Sequence, residues 1–550
     1  MRKRTWLCAA LLVGVACNKK AENKPAEQTA KSVEAKKPEP PPTPTDVTVT
    51  SASADAIKEF EKGRDLVDHA RGPEGIDHFK KAIELDPSFA QAHAYLGMLT
   101  PGAPGADEIA KAISLSKTVP DTEKQFIASF QANRDGDRAK TIELLDTVLQ
   151  GAPAAWRVDI QLANFANNNR DPAQAIAHAE HALKSKPDVA IGYNVLAYAH
   201  AQKREWDPAI AAAKKQIELM PGEPNPIDTL GEIQLQAGKL ADAESSFSAA
   251  FKAQPKFSIA NQGIALARAY RGDFKGANDA IEQWKAAANP NEKLDAMIDS
   301  AWLAFADNKL PQALAALDAI DKDPAAKDVP AFAASALDRA HILAQAGKGA
   351  DAAKWYATAQ QRAATLSGGA KKGIERGARI GVLRLAALTG KPAADTDKLV
   401  AAVDDEAKAD PNNLDMQHVA SAVRGYVAWA KKDMKTAVAE LSKCERNELY
   451  CRWDLATAQR KAGDTAGAEA TEQQLRETLV REAPAVYVIS HLPKAKDASG
   501  AATKSGADTN AAALKPDATK DEMKTAKDVK PPPKPKSKGE PKTDTPPASP

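Results

Sequence analysis

The sequence predicts an all-α solenoid of stacked antiparallel helical hairpins, flanked by two unstructured ends. Three observations predict it. Aromatic residues make up only 5% of the 550, alanine is abundant, and runs of β-branched and aromatic residues are nearly absent. Prolines recur at 87, 120, 153, 187, 221, 255, 290 and 324, in steps of 33 to 35. A pattern of small and large apolar residues travels with those prolines, and a fixed period of that length marks a repeat architecture.

The chain begins with Arg2, Lys3 and Arg4, followed by an apolar run over 6–16. This is the layout of a bacterial export signal over 1–17, too short to cross a bilayer as a mature helix. Val13-Gly14-Val15-Ala16-Cys17, with polar Asn18-Lys19-Lys20 behind it, resembles a lipoprotein signal. The resemblance implies cleavage before Cys17, lipidation of its thiol, and a periplasm-facing membrane lipoprotein, outer membrane preferred over inner. Gly14 departs from the family's leucine, and the alternative is an ordinary cleaved signal with an incidental cysteine. Each buried CH₂ of the acyl chains would contribute about 0.8 kcal/mol of membrane affinity. Residues 18–54 are rich in Lys, Glu, Ala and Pro, with Pro38, Pro40, Pro41, Pro42 and Pro44 close together. Such a stretch lacks the apolar surface to offset its ordering entropy, so it reads as a disordered tether.

An array is expected over 55–290, regular at 156–285. Counting from Pro224 as the first residue of a repeat, Leu230, Gly231, Ala243, Phe247, Ala250 and Pro255 fall at positions 7, 8, 20, 24, 27 and 32. From Ala56 the same offsets give Gly63, Gly75, Phe79, Ala82 and Pro87; from Trp156 they give Leu162, Ala163, Ala175, Ala179, Ala182 and Pro187. Small residues at 8 and 20 let two helices of a hairpin approach, and large ones at 7 and 24 fill the space between. Proline at 32 ends the second helix. Gly136, Gly238 and Gly272 mark the turns inside hairpins, while Asp171-Pro172 and Asp207-Pro208 supply a cap and a preset first turn for the second helix. These residues resemble the tetratricopeptide repeat (TPR) family, which implies a right-handed superhelix of antiparallel helix pairs.

The looser stretches carry the pattern in weaker form. Residues 91–153 keep the closing prolines, and 291–490 reads as degenerate TPR-like hairpins, as at Ala340, Gly347, Ala352, Tyr356 and Ala359. About eleven hairpins are expected in all, well above the roughly three a solenoid needs. Val486-Tyr487-Val488-Ile489 is the single strand-like stretch. Cys444 and Cys451 suit a structural disulfide in an oxidising compartment, which over so short a loop would stabilise by roughly 2–3 kcal/mol; two free thiols are the alternative. Residues 494–550 form a disordered tail with twelve lysines against eight acidic residues. It could touch peptidoglycan or anionic lipid, or serve only as a solubilising end.

A formal net charge of +2 leaves no footprint for nucleic acid. Phosphate-loop, dinucleotide, zinc-protease and serine-hydrolase motifs are absent, so no catalytic residue, metal or cofactor is expected. His178 and His181 lie one turn apart, but a solvated helix face explains them better than a metal does. The TPR resemblance implies that first helices line a concave groove, with positions 2, 5, 9, 12 and 13 pointing inward. Those positions select Asn164, Asn167, Asn168, Asn194, Tyr198, Gln202, Asp228, Glu232, Gln236, Gln262 and Tyr270. Side-chain amides donate to and accept from an extended backbone at once, which suits capture of a protein or peptide partner. Arg157 is the lone basic groove residue. The expected function is a membrane-tethered scaffold for protein–protein interaction or envelope assembly; the alternative is envelope attachment through the basic tail.

Overall fold

The computed structural model describes residues 46–493, apart from 70, 328, 367, 392, 394, 410 and 412. The signal with Cys17, the tether up to 45 and the tail 494–550 therefore lie outside the described residues.

Twenty-five α-helices and no strand occur among the described residues. The early hairpins are α1 (Ala54–Asp68) with α2 (Gly72–Leu85), α3 (Ala90–Leu99) with α4 (Gly102–Leu115), and α5 (Asp121–Asp135) with α6 (Arg138–Gly151). The regular stretch holds α7 (Trp156–Asn168) with α8 (Pro172–Ser185), and α9 (Ala190–Gln202) with α10 (Trp206–Leu219). It continues through α11 (Pro224–Gln236) with α12 (Leu240–Ala253), and α13 (Ala260–Tyr270) with α14 (Phe274–Ala287). Then follow α15 (Pro290–Ala306) with α16 (Leu310–Lys322), α17 (Pro330–Gln345) with α18 (Gly349–Ala363), and α19 (Gly368–Thr389) with α20 (Thr396–Ala409). The last pairs are α21 (Leu414–Ala430) with α22 (Met434–Leu441) and α23 (Leu449–Lys461) with α24 (Thr465–Arg476), after which α25 (Ala483–Ser490) stands alone. Twelve pairs are thus described where about eleven were expected. The extra one comes from α19, which packs on α18 and α21 more than on its own partner α20. The fold is an α-solenoid of antiparallel helical hairpins, the architecture the TPR resemblance implies.

The small-residue rule is visible at the hairpin joints. A Cβ on Gly75 would stand 2.8 Å from the Gly63 carbonyl oxygen. The ring of Phe247 fills the space beside Gly231 and, in the next hairpin, Gly263; a Cβ on either would fall 2.8 or 2.6 Å from it. Phe247, Ala243 and Ala250 are wholly buried, as the position pattern requires.

Several local expectations need correction. Pro290 does not close a second helix: it is the first residue of α15, capped by Asn289, whose side chain accepts from the backbone N–H of Asn291 and Glu292. Asp171 does cap α8 through the Gln174 N–H, but Asp207 is no cap. The turn before α10 comes early, so Glu205 takes the cap position and Asp207 and Pro208 lie inside the first helical turn. The strand-like run at Val486 is part of helix α25, because it packs between helices and has no strand to pair with among the described residues. The tether ends sooner than residue 54: residues 46–53 run extended against the first hairpins, with Val47 only 5% exposed in the same apolar cluster as Phe89 and Phe126.

Candidate functional site

Along the array, α7 touches α9, α9 touches α11, and α11 touches α13, whereas successive second helices do not meet to a comparable extent. First helices therefore line the inside of the curve, and the predicted groove residues share that face. The structure also shows what the groove already holds.

At the start of the array the occupant is the segment 46–53. The Arg157 guanidinium pairs with Asp46 at 2.5 Å and with Asp68 at 2.7 Å. Gln91 donates to the Thr48 carbonyl at 2.5 Å and to Glu123 at 2.9 Å, and Glu123 accepts from the Thr50 N–H and hydroxyl. Asp86 accepts from Ser51, Ala52 and Ser88. Burial pushes its carboxyl up, but those hydrogen bonds outweigh burial and hold it at about 2. The one basic groove residue is thus committed inside the chain.

Further along, residues 478–493 lie across α11, α13 and α15. Arg481 makes a two-pronged contact with Asp228, at 2.5 and 3.1 Å, and donates to the Ile259 carbonyl at 2.9 Å. The Tyr270 hydroxyl donates to the Val480 carbonyl at 2.7 Å and receives the Val480 N–H at 3.4 Å. Tyr487 stacks on Phe305, ring centroids 4.3 Å apart, and His491 lies 3.2 Å from the Asn308 amide oxygen. One apolar cluster runs from Leu235 through Trp302 and takes in Leu475, Val486 and Val488.

The remaining predicted residues mostly bond one another. Asn167 donates to the Val195 carbonyl and Gln202 to the Asn167 carbonyl. Asn194 faces Gln216 and Thr229, Tyr198 donates to Glu232, Gln236 donates to Glu232, and Gln262 donates to Asp299. Burial pushes the Glu232 carboxyl up; Arg481 draws it down and Asp228 raises it. Of the predicted groove side chains, only those of Asn164 and Asn168 make no hydrogen bond among the described residues, and Asn168 is exposed.

Two turn residues close the array on itself. The left-handed turn position that Gly136, Gly238 and Gly272 occupy is taken by Arg170 (φ 60°) and Arg204 (φ 61°). A non-glycine residue there carries a backbone cost. Arg170 reaches Asp415, Glu445 and Asn447, and Arg204 reaches the Glu477 carbonyl at 3.3 Å. His178 and His181 both engage the buried Asp159, at 3.0 and 2.6 Å. No group of three His, Cys, Asp or Glu side chains suited to a metal occurs among the described residues. Cys444 and Cys451 are bridged, with Cα atoms 6.2 Å apart. No helix among the described residues is long and apolar enough to cross a membrane.

Sequence reasoning missed Arg481, Tyr487 and the segment 46–53. The signals were present: Val486 to Ile489 is the apolar stretch before the tail, and Val47-Thr48-Val49-Thr50 is a β-branched run inside a Pro/Lys-rich segment.

A family model described as tetratricopeptide repeat matches residues 161–224 and 229–292. No curated protein matches the chain significantly. Among solved structures, yeast Tom70 is similar over 77% of this chain and 96% of its own, at 15% identity and TM-score 0.39. A TPR protein from Parabacteroides merdae is similar over 47% of this chain and 98% of its own, at 15% identity and TM-score 0.35. The chain spans 26% of the length of a Thermobaculum terrenum O-GlcNAc transferase, which covers 24% of this chain at 19% identity and TM-score 0.23.

Proposed function

We propose that the chain is a non-catalytic scaffold that holds a protein or peptide partner on the inner face of its solenoid. The observation that carries this is that the inner face takes peptide-like segments within the chain itself. Residues 46–53 lie extended across Gln91, Glu123 and Arg157, which belong to three successive first helices. A face that binds extended chain through carbonyls, amides and carboxylates can bind a foreign segment by the same chemistry. The stretch still open to a partner is around Asn164 and Asn168. A photo-crosslinker placed at Asn164 or Asn168 should capture a partner in cells, and one at exposed Glu180 on α8 should not. Capture from Glu180 alone would move the binding surface to the outer face.

In this reading the scaffold is exported and anchored through a lipid on Cys17, facing the periplasm. The basis is the signal-like composition of 1–17. Cys17→Ala should shift a folded protein from the membrane to the soluble fraction, and its retention in the membrane would remove the anchor. The second reading, envelope attachment, is favoured by the lysine excess of 494–550. Deleting that tail and measuring sedimentation with purified sacculi separates the two.

A further inference from the structure

We propose that the groove over α11, α13 and α15 docks an arginine-bearing peptide of another protein, and that residues 478–493 are the resident occupant such a peptide displaces. This rests on the scaffold reading above and names the chemistry of the partner.

The contacts between groove and segment are of the kind a ligand makes. One guanidinium is read by a carboxylate and a backbone carbonyl, Asp228 and Ile259. One hydroxyl, that of Tyr270, reads main-chain atoms of Val480 and so is indifferent to the side chain there. One aromatic anchor, Tyr487, stacks on Phe305. Arginine suits this place better than lysine, because its planar fork meets both Asp228 oxygens at once.

The groove also has more negative charge than its occupant uses. Asp228 and Glu232 stand one turn apart on α11, and Arg481 pairs directly with Asp228 alone while drawing the Glu232 carboxyl down only through its charge. The other partners of Glu232 are the neutral Tyr198 hydroxyl and Gln236 amide. Arg481 itself keeps a buried Nε with no acceptor. Two carboxylates facing one imperfectly satisfied guanidinium favour a segment that brings a better-placed or second positive group.

The occupant depends on the groove for its structure. Helix α25 has eight residues, too few to be stable as a helix by itself, and residues 477–482 join it to α24 without helical structure. Its helix forms against the groove, where Ala483, Ala485, Val486, Tyr487 and Val488 are buried, and a competitor must replace that apolar seat as well as the Arg481 pair and outbind a tethered segment.

The test uses a fluorescein-labelled peptide of residues 478–493, titrated by anisotropy against the full-length chain and its Arg481→Ala variant. The variant, its own segment loosened, should bind the peptide at least tenfold tighter than the wild type. A peptide carrying Arg481→Ala, or a chain carrying Asp228→Asn as well, should lose at least tenfold of that affinity. Equal binding by both chains, or binding indifferent to the peptide arginine, overturns the proposal. So does concentration-dependent dimerisation of the Arg481→Ala chain with no peptide uptake, which would make a second copy the occupant. Should Arg481→Ala lose its helical circular dichroism, hydrogen exchange on the wild type decides. Excess unlabelled peptide should speed exchange of residues 483–490 while leaving α13 protected; unchanged protection of 483–490 overturns the proposal. A partner crosslinked at Asn164 or Asn168 without peptide exchange would leave the scaffold function standing and remove only this docking site.

Discussion

The stretch 156–285 and the stretch 291–490 stack the same helical hairpins by different means. In the first, equivalent positions meet from one repeat to the next. Ala163, Ala175, Ala179, Ala243 and Phe247 are all wholly buried, and side-chain hydrogen bonds such as Asn167 to Val195 and Asn194 to Thr229 are spread over successive joints. In the second, spacing drifts, so the position facing a given residue is no longer its equivalent, and each joint has its own partners. Arg384 pairs with Asp454 at 2.7 Å, and the Tyr426 hydroxyl donates to the same carboxylate at 2.9 Å. Arg339 holds Asp318 and Asp321, and Arg362 holds Asp321 from another side. Trp302, Tyr450, Trp453 and Tyr487 form a connected set of rings. A periodic array thus spreads its contacts over many similar joints, whereas a drifted one concentrates its stability in a few.

The largest expected effect breaks that concentration. Asp454→Ala leaves the Arg384 guanidinium buried and uncompensated, and should cost about 3–5 kcal/mol in thermal or urea unfolding. Asn194→Ala in the regular stretch should cost about 1 kcal/mol or less. Similar losses at the two sites would erase the distinction. Next comes the bridge between Cys444 and Cys451. Reduction should cost roughly 2–3 kcal/mol, and hydrogen exchange should show the loss in α21–α24 while α7–α14 keep their protection.

A single methyl group should act with opposite sign in the two stretches. Gly263→Ala drives a Cβ against the Phe247 ring and should destabilise by about 1–3 kcal/mol. Gly373→Ala, in helix α19 with open space around it, should stabilise by about 0.5–1 kcal/mol. A pH-dependent effect of similar size concerns Asp146 of α6, at the entry to the regular stretch. Burial pushes its carboxyl up to about 6, against the pull of nearby His178. A carboxyl raised in the folded state adds stability at low pH, lost as pH rises through the folded value. Asp146→Asn should therefore raise stability by about 1 kcal/mol above pH 6, after allowance for solvent screening, and leave it unchanged near pH 4. An equal gain at both values would exclude the titration.

Much of the fold is legible because its information is local. Gly63 and Gly75, or Gly231 and Phe247, lie within one repeat of each other, so size and spacing along the chain report their contact directly. The groove was legible in part. Position counting found Asp228 and Tyr270 but not what fills the space above them. It read Asn167, Asn194 and Gln202 as ligands for a partner, while the structure ties them to neighbouring repeats.

By itself, then, the sequence determined the paired helices of the regular stretch and the face each presents, since a 34-residue pattern of volumes and turn residues specifies nearest neighbours. Only the tertiary structure decided how the array closes. Arg170 meets Asp415 across 245 residues, Tyr270 meets Val480 across 210, and Arg481 meets Asp228 across 253. Those contacts follow from curvature summed over many hairpins, and a small rotation at each joint adds up to a position no periodic pattern encodes.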